Sequence, residues 1–258
     1  MFDLTEILSN RAWLRRTCPF PHVVASNVFT DGFYNSIAVQ LKRILDCGLY
    51  ETPLPGRFSR SIPNYDSYGL ALDHCDKTPI SVFLSPKWRG MVNSLFGIGV
   101  TPYVFAGAHY HAIGSKSGLI HNDYNPVWFP RFIGEGIQIP KETICSYKTG
   151  LGSLDESEKV QVVRGAVVLF YLLNDGWRPG DGGETGLYTS PGCPVSHAAA
   201  LCPPINNSLV AFECTPSSYH TFLANQRLAR TSIIMWTHRT LEEANRKFGA
   251  GNLIQWTE

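Results

Sequence analysis

The sequence predicts a mainly β chain, a double-sheet β-barrel or jelly roll with α-helices at its flanks. Three observations carry this. Among 258 residues, 23 Gly and 17 Pro punctuate short apolar runs, as in a β-rich chain with tight turns. The longest run, 160–173, is β-branched and almost wholly apolar apart from Gln161 and Arg164. Helical periodicity appears only before and after the strand candidates, which argues against an alternating βαβ sheet. A chain of this length with 44% hydrophobic residues can bury one sizeable core. A single domain over 1–258 is therefore expected, with helical support over 28–97, a barrel core over about 100–238 and a terminal helix over 240–249.

The elements follow in order. A first helix is capped at Thr30 or Asp31, carries Phe33, Ile37, Leu41, Ile44 and Leu45 on one stripe, and ends at Gly48. A second starts at Ser85-Pro86 and runs through Trp88, Met91, Val92 and Leu95 to Gly97. Strand candidates lie at 102–106, 110–113, 160–173, 208–213 and 231–237, the 160–173 run being covered on both faces. Gly and Pro between 176 and 204 mark a long loop region, and the polar stretches 150–158 and 180–192 read as mobile lids. The last helix opens at Thr240, with Glu243 completing a capping box.

With 22 basic against 21 acidic residues and no run of five like charges, bulk electrostatics draws this chain to neither nucleic acid nor an anionic membrane. Asp3, Glu6, Arg11, Arg15 and Arg16 break the apolar N-terminus, so a signal-peptide core is missing, and no later run reaches a membrane span. A cytoplasmic protein without a membrane or nucleic-acid partner is expected. The seven cysteines (18, 47, 75, 145, 193, 202, 214) are odd in number and never spaced C-x-x-C, which argues for reduced thiols over a disulfide framework or zinc ribbon.

His121-Asn-Asp123 sets an imidazole and a carboxylate two residues apart, and in extended backbone both project to one side. A third His from a distant strand would complete a 2-His-1-carboxylate facial triad. The pair alone is common, and a second occurs at His74-Cys-Asp76. Downstream of Asp123 stand His197, His220 and His238, and only His220 has an Arg ten residues on, in Arg230-Thr-Ser232. If 219–222 and 230–236 are neighbouring antiparallel strands joined around 224–226, Arg230 and Ser232 share a face deep behind the metal. A guanidinium fork there binds a carboxylate bidentately, with the Ser hydroxyl adding a hydrogen bond.

His121-x-Asp123, His220 and Arg230-x-Ser232, in this order, resemble the Fe(II)- and 2-oxoglutarate-dependent dioxygenases. The stretch Pro19-Phe-Pro-His-Val-Val, then Phe170-Tyr-Leu-Leu-Asn-Asp-Gly-Trp177 followed by Gly180-Asp-Gly-Gly-Glu-Thr-Gly-Leu-Tyr188, resembles the prolyl 4-hydroxylase-like branch. So does Val210-Ala-Phe-Glu before the distal His. The likeness spans about residues 19–238 and implies a double-stranded β-helix, the cupin-like jelly roll. Members acting on prolyl residues usually carry Lys where Arg230 stands and a Tyr-rich strand before the first His. Here that strand reads Ala108-His-Tyr-His-Ala-Ile-Gly114 and the segment 125–159 is long, which looks more like the small-molecule tailoring hydroxylases.

The resemblance implies Fe(II) held by His121, Asp123 and His220, 2-oxoglutarate held by Arg230 and Ser232, and O2 as oxidant, with ascorbate as reductant in vitro. Succinate and CO2 are formed as an unactivated C–H bond of a small organic substrate, an amino acid or biosynthetic intermediate, is hydroxylated. Asp123 fills the position that halogenating relatives leave to chloride. Alternatives are desaturation or cyclisation by the same oxidant, or hydroxylation of a peptidyl residue. Two rivals are a metal-binding jelly roll without oxidation and a zinc hydrolase or isomerase, the latter leaving Arg230-x-Ser232 unexplained. On the 110–113 strand candidate and its approach, His109 and His111 face one way and Tyr110 the other. Either face can line the barrel, Tyr110 as a cosubstrate donor or a His beside substrate. Asn122, Trp128 and Thr185 complete the expected substrate contacts, while Gly182-Gly183 reads as a tight turn.

Overall fold

The computed structural model describes residues 2–60, 65–72 and 78–253. Its strands are β1 (Leu14–Arg16), β2 (His22–Ala25), β3 (Leu49–Tyr50), β4 (Phe58–Ser59), β5 (Tyr68–Ala71), β6 (Val104–His111) and β7 (Pro126–Pro130). There follow β8 (Lys159–Tyr171), β9 (Thr185–Tyr188), β10 (Ala200–Cys202), β11 (Ser208–Glu213), β12 (Tyr219–Phe222) and β13 (Arg230–Thr240). The helices are α1 (Leu4–Ile7), α2 (Asp31–Leu45), α3 (Pro86–Phe96) and α4 (Leu241–Phe248).

Strands in the order β1-β2-β11-β8-β13-β6-β5-β4-β3, with β7 also paired to β8, form a large sheet. A smaller sheet runs β10-β9-β12, and the segment before His121 lies along β12 through a bridge from His121 to His220. The fold is mainly β, a two-sheet jelly roll. The long strand β8 shows why. Ala166, Val168 and Phe170 face one way, into a core shared with Ile37, Leu41, Phe83, Trp88 and Val92 from the helical layer. Val167, Leu169 and Tyr171 face the other way, between the sheets, against Leu187, Phe212, Ile234 and Trp236. Residues alternating at period two with both faces apolar can only be a covered strand, and burying side chains of this size contributes about 1.5–3 kcal/mol each.

The helix ends follow their sequence signals. Ser85 Oγ accepts from Trp88 N–H (3.2 Å) and Gly97 closes α3 in the left-handed region at φ 63°. Thr240 Oγ1 accepts from Glu243 N–H (3.1 Å), but the Glu243 carboxylate turns to Gly99 N–H (3.3 Å) instead of completing a capping box.

Three expectations are corrected. The candidates 102–106 and 110–113 are one continuous strand, β6: Gly107 does not break it but lets the Leu70 carbonyl of β5 approach, where a Cβ would lie at 2.9 Å. The supposed loop and lid over 180–192 contains β9, buried at all four positions, and β10 follows it. The stretch 150–158 is anchored at its start, Gly150 lying close to the Trp128 ring and Gly152 to the Ile144 carbonyl, and is otherwise mostly exposed. Lastly β12 and β13 are no hairpin: β12 pairs with β9, while β13 lies in the large sheet between β6 and β8. The barrel also begins before residue 100, since β2 and β5 belong to its large sheet. Among the described residues, no helix is long and apolar enough to cross a membrane, and Cys18, Cys47, Cys145, Cys193, Cys202 and Cys214 are free thiols.

Candidate metal centre and carboxylate pocket

His121 and His220 face each other as an antiparallel pair that exchanges both backbone hydrogen bonds, at 3.1 and 2.8 Å. Such a pair sends both side chains to one side, and the ring centroids lie 4.4 Å apart. Each Nδ1–H donates to the carbonyl two residues back, His121 to Leu119 (2.8 Å) and His220 to Ser218 (3.1 Å). That fixes the tautomer and leaves both Nε2 lone pairs free for a metal.

Asp123 reaches the same point by a different route from the extended geometry expected. Its φ of 58° is left-handed, Tyr124 N–H donates to Asn122 Oδ1 (3.1 Å), and Asn125 N–H donates to the Asp123 carbonyl (2.9 Å). This tight turn swings the carboxylate back beneath the imidazoles. Oδ1 then lies 3.6 Å from His121 Nε2 and Oδ2 3.5 Å from His220 Nε2, all ligand atoms falling within 4.8 Å of one another. Burial alone would raise the Asp123 carboxyl, but the Arg164 guanidinium beside it opposes this, and the group lies well below the usual carboxylate range. Asp123 is thus ionised and acceptor-only, as a metal ligand would have to be. The side chain of His121 is 49% exposed and that of Asp123 only 4%, so the centre opens on its His121 side.

Further into the barrel, Arg230 is 3% exposed. Its Nη1–H donates to Ser232 Oγ (2.8 Å) and its Nη2–H to Thr185 Oγ1 (3.3 Å), which also receives the Tyr171 hydroxyl (2.7 Å). The Tyr171 and Phe222 rings flank the guanidinium, its carbon 5.2 and 5.5 Å from their centroids. No carboxylate pairs with it among the described residues, and its Nε–H is buried without a partner. A desolvated guanidinium with an idle donor is costly unless an anion arrives. Gly183, at φ 84°, stands where a Cβ would meet Arg230 Cβ at 3.4 Å, so the Gly-Gly turn makes room for this side chain.

The remaining expected contacts divide. Because Ser232 pairs with His109, Arg230 with His111 and Thr231 with Tyr110, both His line the barrel interior. Tyr110 points the other way, against Phe58, and its assignment as a cosubstrate donor is corrected. His111 stacks on Phe222 at 3.7 Å, donates Nδ1–H to the Asp66 carbonyl (2.9 Å) and has Nε2 unpartnered. Burial and then Arg230 push His109 down to about 4, so it is neutral near pH 7. Asn122 is removed from the substrate set: its amide donates to Pro216 O (2.9 Å). So is Trp128, whose ring packs on Gly150 and beneath the Lys159 ammonium (5.2 Å). Thr185 serves the Arg230 pocket instead. His74 and Asp76 lie outside the described residues.

Sequence reading missed Tyr65. It sits edge-on to His109 and His111, at 6.0 and 5.4 Å. Its phenol, pushed up to about 12 mainly by burial, feels Arg230 downwards and Asp123 upwards, which marks it as a wall between the two centres. It also missed Arg164 and Trp236, which grip Asp123 (2.6 and 2.9 Å); a lone charge in an apolar strand was the available signal for Arg164. A groove lined by Glu184, Leu201 and Leu223 lies on the outer face of the smaller sheet, across it from the triad.

The chemistry of the donor set fits Fe(II), for which two imidazoles and one carboxylate leave open positions. Residues 143–238 match the model of the 2OG-Fe(II) oxygenase superfamily. Residues 143–238 carry a 2OG-Fe(II) oxygenase domain. The chain is accordingly a dioxygenase that works with Fe(II), 2-oxoglutarate and O2. No curated protein sequence matches it. Among solved structures, the fold is similar to that of a prolyl-4-hydroxylase from Pseudomonas putida, at 16% identity and TM-score 0.54 over 84% of this chain and 92% of that one. It is also similar to a prolyl hydroxylase of Trichoplax adhaerens in complex with a hypoxia inducible factor peptide fragment, at 14% identity and TM-score 0.53 over 87% and 86%. The collagen prolyl hydroxylase of Paramecium Bursaria Chlorella virus-1, as its 2OG complex, aligns at 15% identity and TM-score 0.52 over 85% and 96%. The oxygenase places its triad and its buried guanidinium on facing sheets of this shared fold.

Proposed function

We propose that His121, Asp123 and His220 hold Fe(II) and that Arg230, with Ser232 and Thr185, takes the distal carboxylate of 2-oxoglutarate, for hydroxylation of a compact small molecule. The observation that carries the reading is the buried Arg230, its Nε–H idle, within one barrel with a pre-assembled triad. A zinc hydrolase has no use for that guanidinium. Bound Fe(II) supplies the redox chemistry by which 2-oxoglutarate and O2 become succinate, CO2 and an oxidised substrate. The protein's part is to present two Nε2 lone pairs and one carboxylate without rearrangement, to clamp the far end of the cosubstrate, and to keep water out with Tyr171, Phe222 and Tyr65.

A small-molecule substrate, an amino acid or biosynthetic intermediate, is supported by the near-neutral charge and by neutral imidazoles, His109 and His111, on the inner wall where hydrogen-bonding groups select polar substrates. The likeness to prolyl hydroxylases, one solved with a peptide fragment, supports hydroxylation of a peptidyl residue as the second reading. Chain 1–258 acting as one domain, residence in the cytoplasm with reduced thiols, and ascorbate as reductant complete the proposal. The test is succinate formation with Fe(II), 2-oxoglutarate and ascorbate across panels of amino acids and proline-containing peptides. Substrate-stimulated succinate confined to the peptides would select the second reading, and none with any addition would overturn both.

A further inference from the structure

The carboxylate of Asp123 is held by more than the turn that carries it. Arg164 Nη1–H donates to Oδ1 at 2.6 Å and Trp236 Nε1–H donates to Oδ2 at 2.9 Å, so one donor on each oxygen fixes the carboxylate plane. The Arg164 guanidinium itself lies 4.0 Å over the Trp236 ring. Its inward direction has a local cause. Between β8 and β13 the register shifts, Thr237 pairing with Ala166 but His238 with Arg164, which leaves Gly165 as an extra residue. This bulge reverses the alternation of β8: Val167, Leu169 and Tyr171 face the interior beyond it, and before it Arg164 does. A Cβ at residue 165 would meet Ile98 Cγ2 at 3.3 Å and the Thr237 carbonyl at 3.4 Å.

Behind Arg164 runs a chain of hydrogen bonds whose direction is settled by its last member. His238 Nδ1 faces the Tyr103 carbonyl at 3.0 Å, so Nδ1 carries the proton and Nε2 accepts. Tyr147 therefore donates its hydroxyl hydrogen to His238 Nε2 (2.8 Å), and its oxygen accepts from Arg164 Nε–H (3.3 Å). Arg164, Tyr147 and His238 are all buried. Tyr147 belongs to the 125–159 segment, which thereby reaches the metal centre from behind.

We propose that Arg164 is a positioning residue of the metal centre, aimed by the bulge at Gly165 and locked by Tyr147 and His238, which sets the orientation of the Asp123 carboxylate before a metal binds. This rests on the reading of Asp123 as a metal ligand. Purely structural contacts would change stability alone; a positioning contact changes the ligand field as well.

The experiment compares wild type, Tyr147→Phe, Arg164→Lys and Asp123→Asn, each loaded anaerobically with Co(II). Tyr147→Phe keeps the ring stacked on Phe105 and loses only the hydroxyl. Arg164→Lys keeps the charge but cannot span Asp123 and Tyr147 together. The expected result is a displaced Co(II) electronic spectrum in both, and, in separate aerobic assays with Fe(II), a kcat for succinate formation lowered roughly tenfold to a hundredfold, the usual range for outer partners of metal ligands, while the KM for 2-oxoglutarate moves less than about threefold. A wild-type spectrum in Tyr147→Phe, with only a lowered melting temperature, would overturn the proposal, and this variant decides even where Arg164→Lys does not fold. Co(II) bound by Asp123→Asn as tightly as by wild type would sink the ligand reading itself, a separate failure.

Discussion

At the scale of single residues, the centre is built from groups whose hydrogen-bond partners are set before any ligand arrives. His121 and His220 spend their Nδ1 hydrogens on backbone carbonyls, and Asp123 is ionised under the influence of Arg164. Replacing His121 or His220 with Ala should therefore abolish Co(II) or Fe(II) binding in an anaerobic titration and turnover with it; full activity with metal still bound would refute the assignment. Arg230 makes a second prediction. Charge-assisted hydrogen bonds lost to a ligand are worth about 1.5–3 kcal/mol, so Arg230→Ala should raise the 2-oxoglutarate requirement roughly tenfold to a hundredfold with metal affinity unchanged. An unaltered cosubstrate requirement would remove Arg230 from that role. Both sets of residues were legible in the sequence because their order and spacing along strands survive without knowledge of the fold. Tyr110 was not: whether odd or even positions of a strand face inward is undecided by a two-residue period when both faces are covered.

At the scale of elements, backbone conformation does work that side-chain spacing does not announce. The left-handed Asp123 replaces the extended pair, and one surplus glycine in β8 turns Arg164 inward. The Gly182-Gly183 turn is the clearest case. A Cβ at Gly182 would collide with the Ala224 carbonyl at a φ of +80°, and the same turn is pinned by Trp177 Nε1–H donating to the Gly182 carbonyl (2.8 Å). Gly182→Ala should thus cost upward of about 2 kcal/mol and lower the melting temperature by several degrees for a chain of this size. Because Gly183 abuts Arg230, the surviving folded enzyme should also need more 2-oxoglutarate. A melting curve superimposable on wild type would show that the turn has room the geometry denies it.

At the scale of the whole molecule, three neutral imidazoles, His111 and His238 buried and His109 partly so, couple stability to pH. Burial holds His238 at about 3 and His109 at about 4, and burial with the Arg230 charge keeps His111 well below its ordinary value. In the unfolded chain each returns to about 6.5. Between those values the unfolded state binds more protons, so their contribution is fully present above pH 6.5 and is lost as pH falls toward the folded values. The denaturation midpoint should decline from pH 7 to pH 5, and a flat profile would contradict buried neutral His. The sequence by itself determined the class of fold, the helix ends, the order of the candidate ligands His121, Asp123 and His220, and the guanidinium at Arg230, since these are properties of local pattern and spacing. Only the tertiary structure decided that β12 and β13 belong to opposite sheets and that the interior face of β6 carries His109 and His111. It alone brought Tyr65, Trp236, Tyr147 and His238 around the centre from distant segments. Those outcomes depend on which strands pair and in what register, a choice made by burial over the whole chain and invisible in any window of it.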